Sequence, residues 1–185
     1  MVKQFFLFLL LFSGVSLCTQ AQNGENHHKF DMRFGVGVSL LGTGDYVALN
    51  FSNELNYRLS RYFTAAVSVQ YGRSGGQEKS RGGFSSSSFV GGNVNLFLSP
   101  FTNIQKNDFR LGGGFSYYGV SDVFLPGKGA ISYTAEKRAS LGFNVIAEDT
   151  FMVSQRLMLG VKLFMQPYTN GDINSGLLFK LGVVL

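Results

Sequence analysis

The chain has 185 residues and a formal net charge of +5, with 24 Gly, 19 Phe, 8 Tyr, 3 Pro and a single Cys. This glycine- and aromatic-rich composition points to β-structure, and no segment after Ala21 has the apolar length that a membrane helix needs. The charges are scattered, with no basic stripe interleaved with aromatics, which argues against nucleic acid as a partner.

Residues 1–21 read as a secretory signal. Lys3 precedes the apolar run Phe5 to Phe12, and Thr19, Gln20 and Ala21 end the segment, with cleavage after Ala21. The apolar run is too short to span as a helix. Cys18 follows Leu17, where a lipid-modified cysteine wants a small residue, so an acylated anchor is disfavoured. Removing the signal leaves 164 residues, a charge of +4 and no cysteine for a disulfide. That length suits one domain. Residues 22–29 form a polar leader, and residues 30–185 the domain itself.

From Phe30 to Gly42, Phe30, Met32, Phe34, Val36, Val38 and Leu40 alternate with Asp31, Arg33, Gly35, Gly37 and Ser39, a strand with one apolar face. Asp45 to Arg58 repeats the pattern, with Val47, Leu49, Phe51, Leu55 and Tyr57 on one side and Ala48, Asn50, Ser52, Glu54 and Asn56 on the other. A turn at Thr43 and Gly44 would set Val38 opposite Leu49, Val36 opposite Phe51 and Arg33 opposite Glu54. A slip of one residue would destroy that match. Six more alternating segments follow: Tyr62 to Tyr71, Phe84 to Leu98, Phe109 to Gly119, about Ala139 to Glu148, Arg156 to Gln166, and Asn174 to Leu185. Eight strands of this kind predict an all-β fold, an eight-stranded antiparallel up-and-down transmembrane β-barrel.

The connections tend to alternate in length. Leu59 to Arg61 and Asp149 to Gln155 are short, while Gly72 to Gly83 and Val120 to Arg138 are long. Short periplasmic turns and long outer loops would put both termini in the periplasm of a bacterium. Two connections fit poorly: Ser99 to Asp108 is long for a periplasmic turn, and Thr43–Gly44 is short for an outer loop. Alternation also suits a soluble ligand-binding barrel with its apolar face inside. Strand length and uncharged apolar sets favour the membrane, as do aromatic residues at both rims: Tyr57, Tyr62 and Phe63 at one, Tyr46, Tyr71 and Tyr117 at the other.

The signal ending at Ala21–Gln22, the segment ELNYRLSRYFTAAVSVQY from Glu54 to Tyr71 and the terminal GLLFKLGVVL carry a resemblance to a known family. Over essentially the whole mature chain it resembles small outer-membrane β-barrel proteins of the OmpA and OmpW type, especially the short Bacteroidota versions. The chain departs from them in ending on Leu185 where an aromatic residue is usual. The resemblance implies recognition of the C-terminal strand by the outer-membrane assembly machinery, and outer-membrane lipid and lipopolysaccharide as surroundings. It leaves any protein partner unknown and specifies a fold rather than an activity. Membrane-barrel enzymes of this size use a histidine, and here only His27 and His28 occur, in the leader. No enzyme, cofactor or metal is therefore expected. The glycines Gly35, Gly37 and Gly112 to Gly114 match no phosphate-binding motif, and within strands they suit tight curvature and leave lumen space.

What remains is charge on the inward face. Arg33, Glu54, Lys162 and Lys180 fall on strands that adjoin once a barrel closes, with three cations around one carboxylate. Arg110 and Glu148 are further inward charges. Such groups either pair inside a filled polar lumen or line a narrow, anion-preferring conduit. A conduit passing apolar solutes sideways, as the OmpW type is thought to do, is the other channel reading. Lys79, Arg81, Lys128 and Arg138 lie in the long connections, where they could meet anionic lipopolysaccharide. The leading expectation is a non-enzymatic structural or interaction-bearing membrane protein.

Overall fold

A computed structural model describes residues 29–42, 46–75, 77–78, 84–103, 107–125 and 134–185. The signal, most of the leader and the Thr43–Gly44 turn fall outside them. The strands are β1 (Phe30–Leu41), β2 (Tyr46–Arg58), β3 (Phe63–Ser74), β4 (Gln77–Glu78), β5 (Phe84–Asn103), β6 (Asn107–Leu125), β7 (Thr134–Met152), β8 (Leu157–Pro167) and β9 (Ile173–Val184). Each long strand pairs antiparallel with the next long strand in the chain, and β4 is a short antiparallel addition to the start of β5. The pairings β1–β9 and β3–β5 then close the eight long strands into a barrel.

The β1–β2 register is the one that the alternation predicts, with Val38 opposite Leu49, Val36 opposite Phe51 and Arg33 opposite Glu54. Cross-strand partners followed once round the wall run Phe30, Tyr57, Ala65, Leu96, Gly113, Val145, Met165, Ser175 and back to Leu40, ten residues further along β1. A stagger of that size in eight strands tilts them by about 40°. Outward apolar side chains run from Phe30, Phe63 and Phe151 to Leu40, Val90 and Leu141, all exposed. At this tilt that band is roughly 25 Å tall, the height of a hydrocarbon layer. The apolar face is outside, which rules out the soluble barrel.

The start of β1, the end of β9 and the β2–β3 and β7–β8 turns share one end, here the base. Those two turns are built alike: Leu59 and Ser60 donate backbone N–H to Phe63 O, Val153 and Ser154 donate to Leu157 O, and Ser60 Oγ and Ser154 Oγ accept from Phe63 N and Leu157 N. The other end is the mouth, where β5, β6 and β7 run several residues beyond the apolar band.

Three differences from the sequence reading have physical reasons. Ser99 to Asp108 is mostly strand, because β5 continues past Pro100 through a bulge in which Ser99 and Pro100 together oppose Arg110. Val120 to Arg138 is also largely strand: pairing of β6 with β7 continues to Phe124–Thr134, although the apolar contrast that marks a lipid-facing strand has lapsed. Tyr46 is not at the rim; like every even-numbered residue of β2 it turns inward, and it is buried. Two of the inward glycines hold neighbouring side chains rather than open space. A methyl at Gly72 would overlap the Phe89 ring, and one at Gly112 the Phe97 ring, so each glycine receives an aromatic side chain from the adjoining strand.

Candidate functional site

The tilt places inward side chains from all strands at a few shared levels. Nearest the base is a floor of charge made by Asp31, Arg33, Glu54, Arg110, Glu148, Lys162 and Lys180. Glu54 accepts from Lys162 Nζ at 2.7 Å, Lys180 Nζ at 2.9 Å and Arg110 Nη2 at 2.7 Å. Glu148 accepts from Arg33 Nη1 at 2.5 Å, Arg110 Nη2 at 3.0 Å and Lys180 Nζ at 3.2 Å. Arg33 Nε reaches Asp31 at 2.6 Å. Arg110 also donates to Asn56 Oδ1 at 2.9 Å and stacks 3.9 Å from the Phe97 ring centroid. Its position opposite the Ser99–Pro100 bulge sets it into the middle of this network. Apart from Asp31, each of these charged residues is 3 % exposed or less.

The structure thus brings Arg33, Glu54, Lys162 and Lys180 together, but with different wiring. Arg33 and Glu54 are register partners whose side chains do not pair; Arg33 turns to Asp31 and Glu148. Arg110 and Glu148, expected only as further inward charges, belong to the centre. They are direct cross-strand partners of the same facing parity, which a β6–β7 register read from the sequence would have shown. The result is two glutamates bridging four cations, with Asp31 completing one side.

Above the floor the lumen is not uniformly polar. Ala66, Phe97, Ile146, Phe164 and Leu178 form a buried apolar cluster. Next comes an amide level, where Asn93 donates to Ser68 at 3.0 Å, Gln166 to Asn93 at 3.1 Å, Asn174 to Gln166 at 2.9 Å and Asn144 to Asn95 at 2.6 Å. The buried amides of Asn50 and Gln70 have no partner among the described residues, so water is needed at this level. A second apolar cluster, including Leu41, Tyr46, Phe89, Val120 and Tyr168, closes the top. There Tyr118 stacks on Tyr168 with centroids 3.8 Å apart.

At the mouth the β8–β9 turn is tied to the wall. Tyr118 Oη donates to Asp172, Asn170 Nδ2 donates to Tyr118 Oη at 3.0 Å, and Arg138 meets Asp122 at 2.6 Å and Asp172 at 3.5 Å. Gly171, with φ 87°, allows the turn. Arg138, expected as a loop contact, therefore lies in β7 and is held by two aspartates. Lys79, Arg81 and Lys128 lie outside the described residues. Among the described residues no cluster of His, Cys, Asp or Glu is arranged to hold a metal.

No family model and no curated protein matches the chain. Solved structures do. The attachment invasion locus protein Ail of Yersinia pestis superposes with a TM-score of 0.59 at 9% identity, covering 83% of this chain and 96% of Ail. The fold is that of a small transmembrane β-barrel. Neisserial surface protein A matches with a TM-score of 0.57 at 15% identity, covering 85% of this chain and 97% of its own. A major outer membrane protein of Thermus thermophilus gives 0.57 at 9% identity, covering 82% and 98%. This barrel is therefore of the eight-stranded outer-membrane kind in architecture, and its interior has to be read from its own residues.

Proposed function

We propose that the chain is a non-enzymatic integral protein of a bacterial outer membrane, with both termini in the periplasm and its working surface at the mouth. The observation that carries this reading is a contrast between the two ends. The lumen is filled by a paired ionic floor, two apolar levels and a tyrosine stack, while β5, β6 and β7 run on beyond the apolar band. A blocked lumen would leave the exterior as the place where interaction occurs, and short turns at the base support an orientation with the projecting sheet outside the cell. Attachment, the property in the name of the Yersinia protein, is the kind of role that a sheet raised on a closed barrel supports. The C-terminal strand β9 would be the segment offered to the assembly machinery.

The test is conductance of the refolded mature chain in a planar bilayer. A folded barrel that passes no steady ion current agrees with this reading. An anion-selective current that reverses in Lys162→Glu with Lys180→Glu would make the protein a channel and overturn it.

A further inference from the structure

The outward face just above the apolar band differs from the rest of the wall. Cross-strand partners there form two complete rows over β3, β5, β6 and β7. The lower row is Tyr71, Val90, Gly119 and Ala139; the upper is Arg73, Ser88, Ser121 and Lys137. Below them the outward face is apolar, for example Val67, Val94, Phe115 and Phe143. The upper row thus begins where lipid tails end, with a cation at each end and two hydroxyls between. Adjacent strands lie about 4.8 Å apart, so Arg73 and Lys137 stand roughly 14 Å from one another along the row. Small side chains at Gly119, Ala139, Ser88 and Ser121 hollow the surface into an open groove of about 420 Å³, with Tyr71 and Lys137 on its lining. A Cβ at Gly119 would meet nothing within 4 Å.

We propose that these rows seat a phosphorylated glycolipid of the outer leaflet. Its acyl chain lies in the groove against Val90 and Gly119, continuous with the lipid-facing band below. Its sugar crosses the Tyr71 ring and the hydroxyls of Ser88 and Ser121, and its phosphates meet Arg73 and Lys137. Aromatic face, hydroxyls and paired cations are what a charged sugar needs; a phospholipid with one phosphate engages only one end of the row. Neither row contains a carboxylate to compete for the cations. The inference rests on the outward orientation of the mouth proposed above.

The experiment uses the refolded mature barrel, its fold checked by heat-dependent gel mobility, and native mass spectrometry of retained lipid. The probes are bis-phosphorylated lipid A, its dephosphorylated form and phosphatidylglycerol. Lipid A is expected to be retained about tenfold over both others, as two charge-assisted contacts would give. Arg73→Glu with Lys137→Glu should erase the preference, and Gly119→Leu, which fills the groove without touching the lumen, should weaken lipid A retention. Equal retention of phosphatidylglycerol, or variants that bind like the parent, would overturn the site. Orientation is checked separately by labelling Thr134→Cys with an impermeant maleimide. Labelling of intact cells without lipid preference sinks the site alone. Labelling only after the cells are opened sinks the orientation and the inference with it.

Discussion

The floor and the mouth of this barrel use the same chemistry under different solvent conditions. A single strand, β7, supplies Glu148 to the floor and Arg138 to the mouth. At the floor the Glu54 and Glu148 carboxylates are fully buried among four cations. At the mouth the Arg138 side chain is 39% exposed while it holds Asp122 and Asp172. A carboxylate–guanidinium contact is thus compulsory in one place and optional in the other. Without water to fall back on, each floor charge needs its partners simply to remain charged in the barrel. At the mouth Asp122 is itself buried, but the guanidinium that reaches it stands in water, so these pairs compete with solvent. Charge at the floor therefore ties the strands together across the lumen, and charge at the mouth holds one turn in place.

The largest effect should follow from breaking the floor. Glu54→Gln leaves Lys162 without its carboxylate and removes one of two from Lys180 and Arg110, so unfolding free energy should fall by ~3–5 kcal/mol in a urea titration of the lipid-embedded barrel. Adding Lys162→Met should restore part of that loss, since it removes the stranded cation. Adding Arg33→Ala should restore less, because Arg33 spends its contacts on Asp31 and Glu148. A loss below ~1 kcal/mol would show that water reaches the floor and that its pairs behave like surface ones.

That wiring also marks where sequence reading stops. Period-two alternation set the β1–β2 register and the outward face of every strand, because an apolar exterior and a lumen demand opposite parity. It could place Arg33, Glu54, Lys162 and Lys180 inside. It could not choose their partners, because contacts across a lumen depend on the stagger of the whole wall, which no local pattern encodes. Inward aromatics were missed for a related reason. Phe89, Phe97 and Phe164 break the polar inward pattern, and the glycines that receive them lie on neighbouring strands, so neither half of the pair is informative alone. The extended β6 and β7 escaped because beyond the membrane a strand needs backbone pairing without an apolar face.

Packing just above the floor gives an intermediate test. Phe97 occupies the space above Gly112 and carries Arg110 on its face, so the ring supports the charge network through van der Waals contact. Gly112→Ala should cost ~1–3 kcal/mol in the same titration, as overpacking does. Phe97→Leu combined with it should recover part of the loss. An alanine at outward Gly92, where a Cβ meets nothing within 4 Å, is the control and should leave stability nearly unchanged. If both alanines behave alike, the ring yields easily and the floor does not lean on it.

The smallest effect should come from the mouth. Arg138→Ala removes the contacts to Asp122 and Asp172, yet the vacated volume opens to solvent and water takes over the carboxylates. The expected loss is ~1 kcal/mol or less, shrinking further in high salt, because a side chain this exposed gains little from its pairs. The turn at 168–172 should loosen nonetheless, since Asp172 then depends on Tyr118 and Asn170 alone, and faster amide exchange at Tyr168 and Gly171 would report it. A loss as large as that of Glu54→Gln would mean that water does not take the place of the guanidinium at Asp122, which is itself buried. Floor and mouth would then be one continuous buried network, and the division of labour between them would fail.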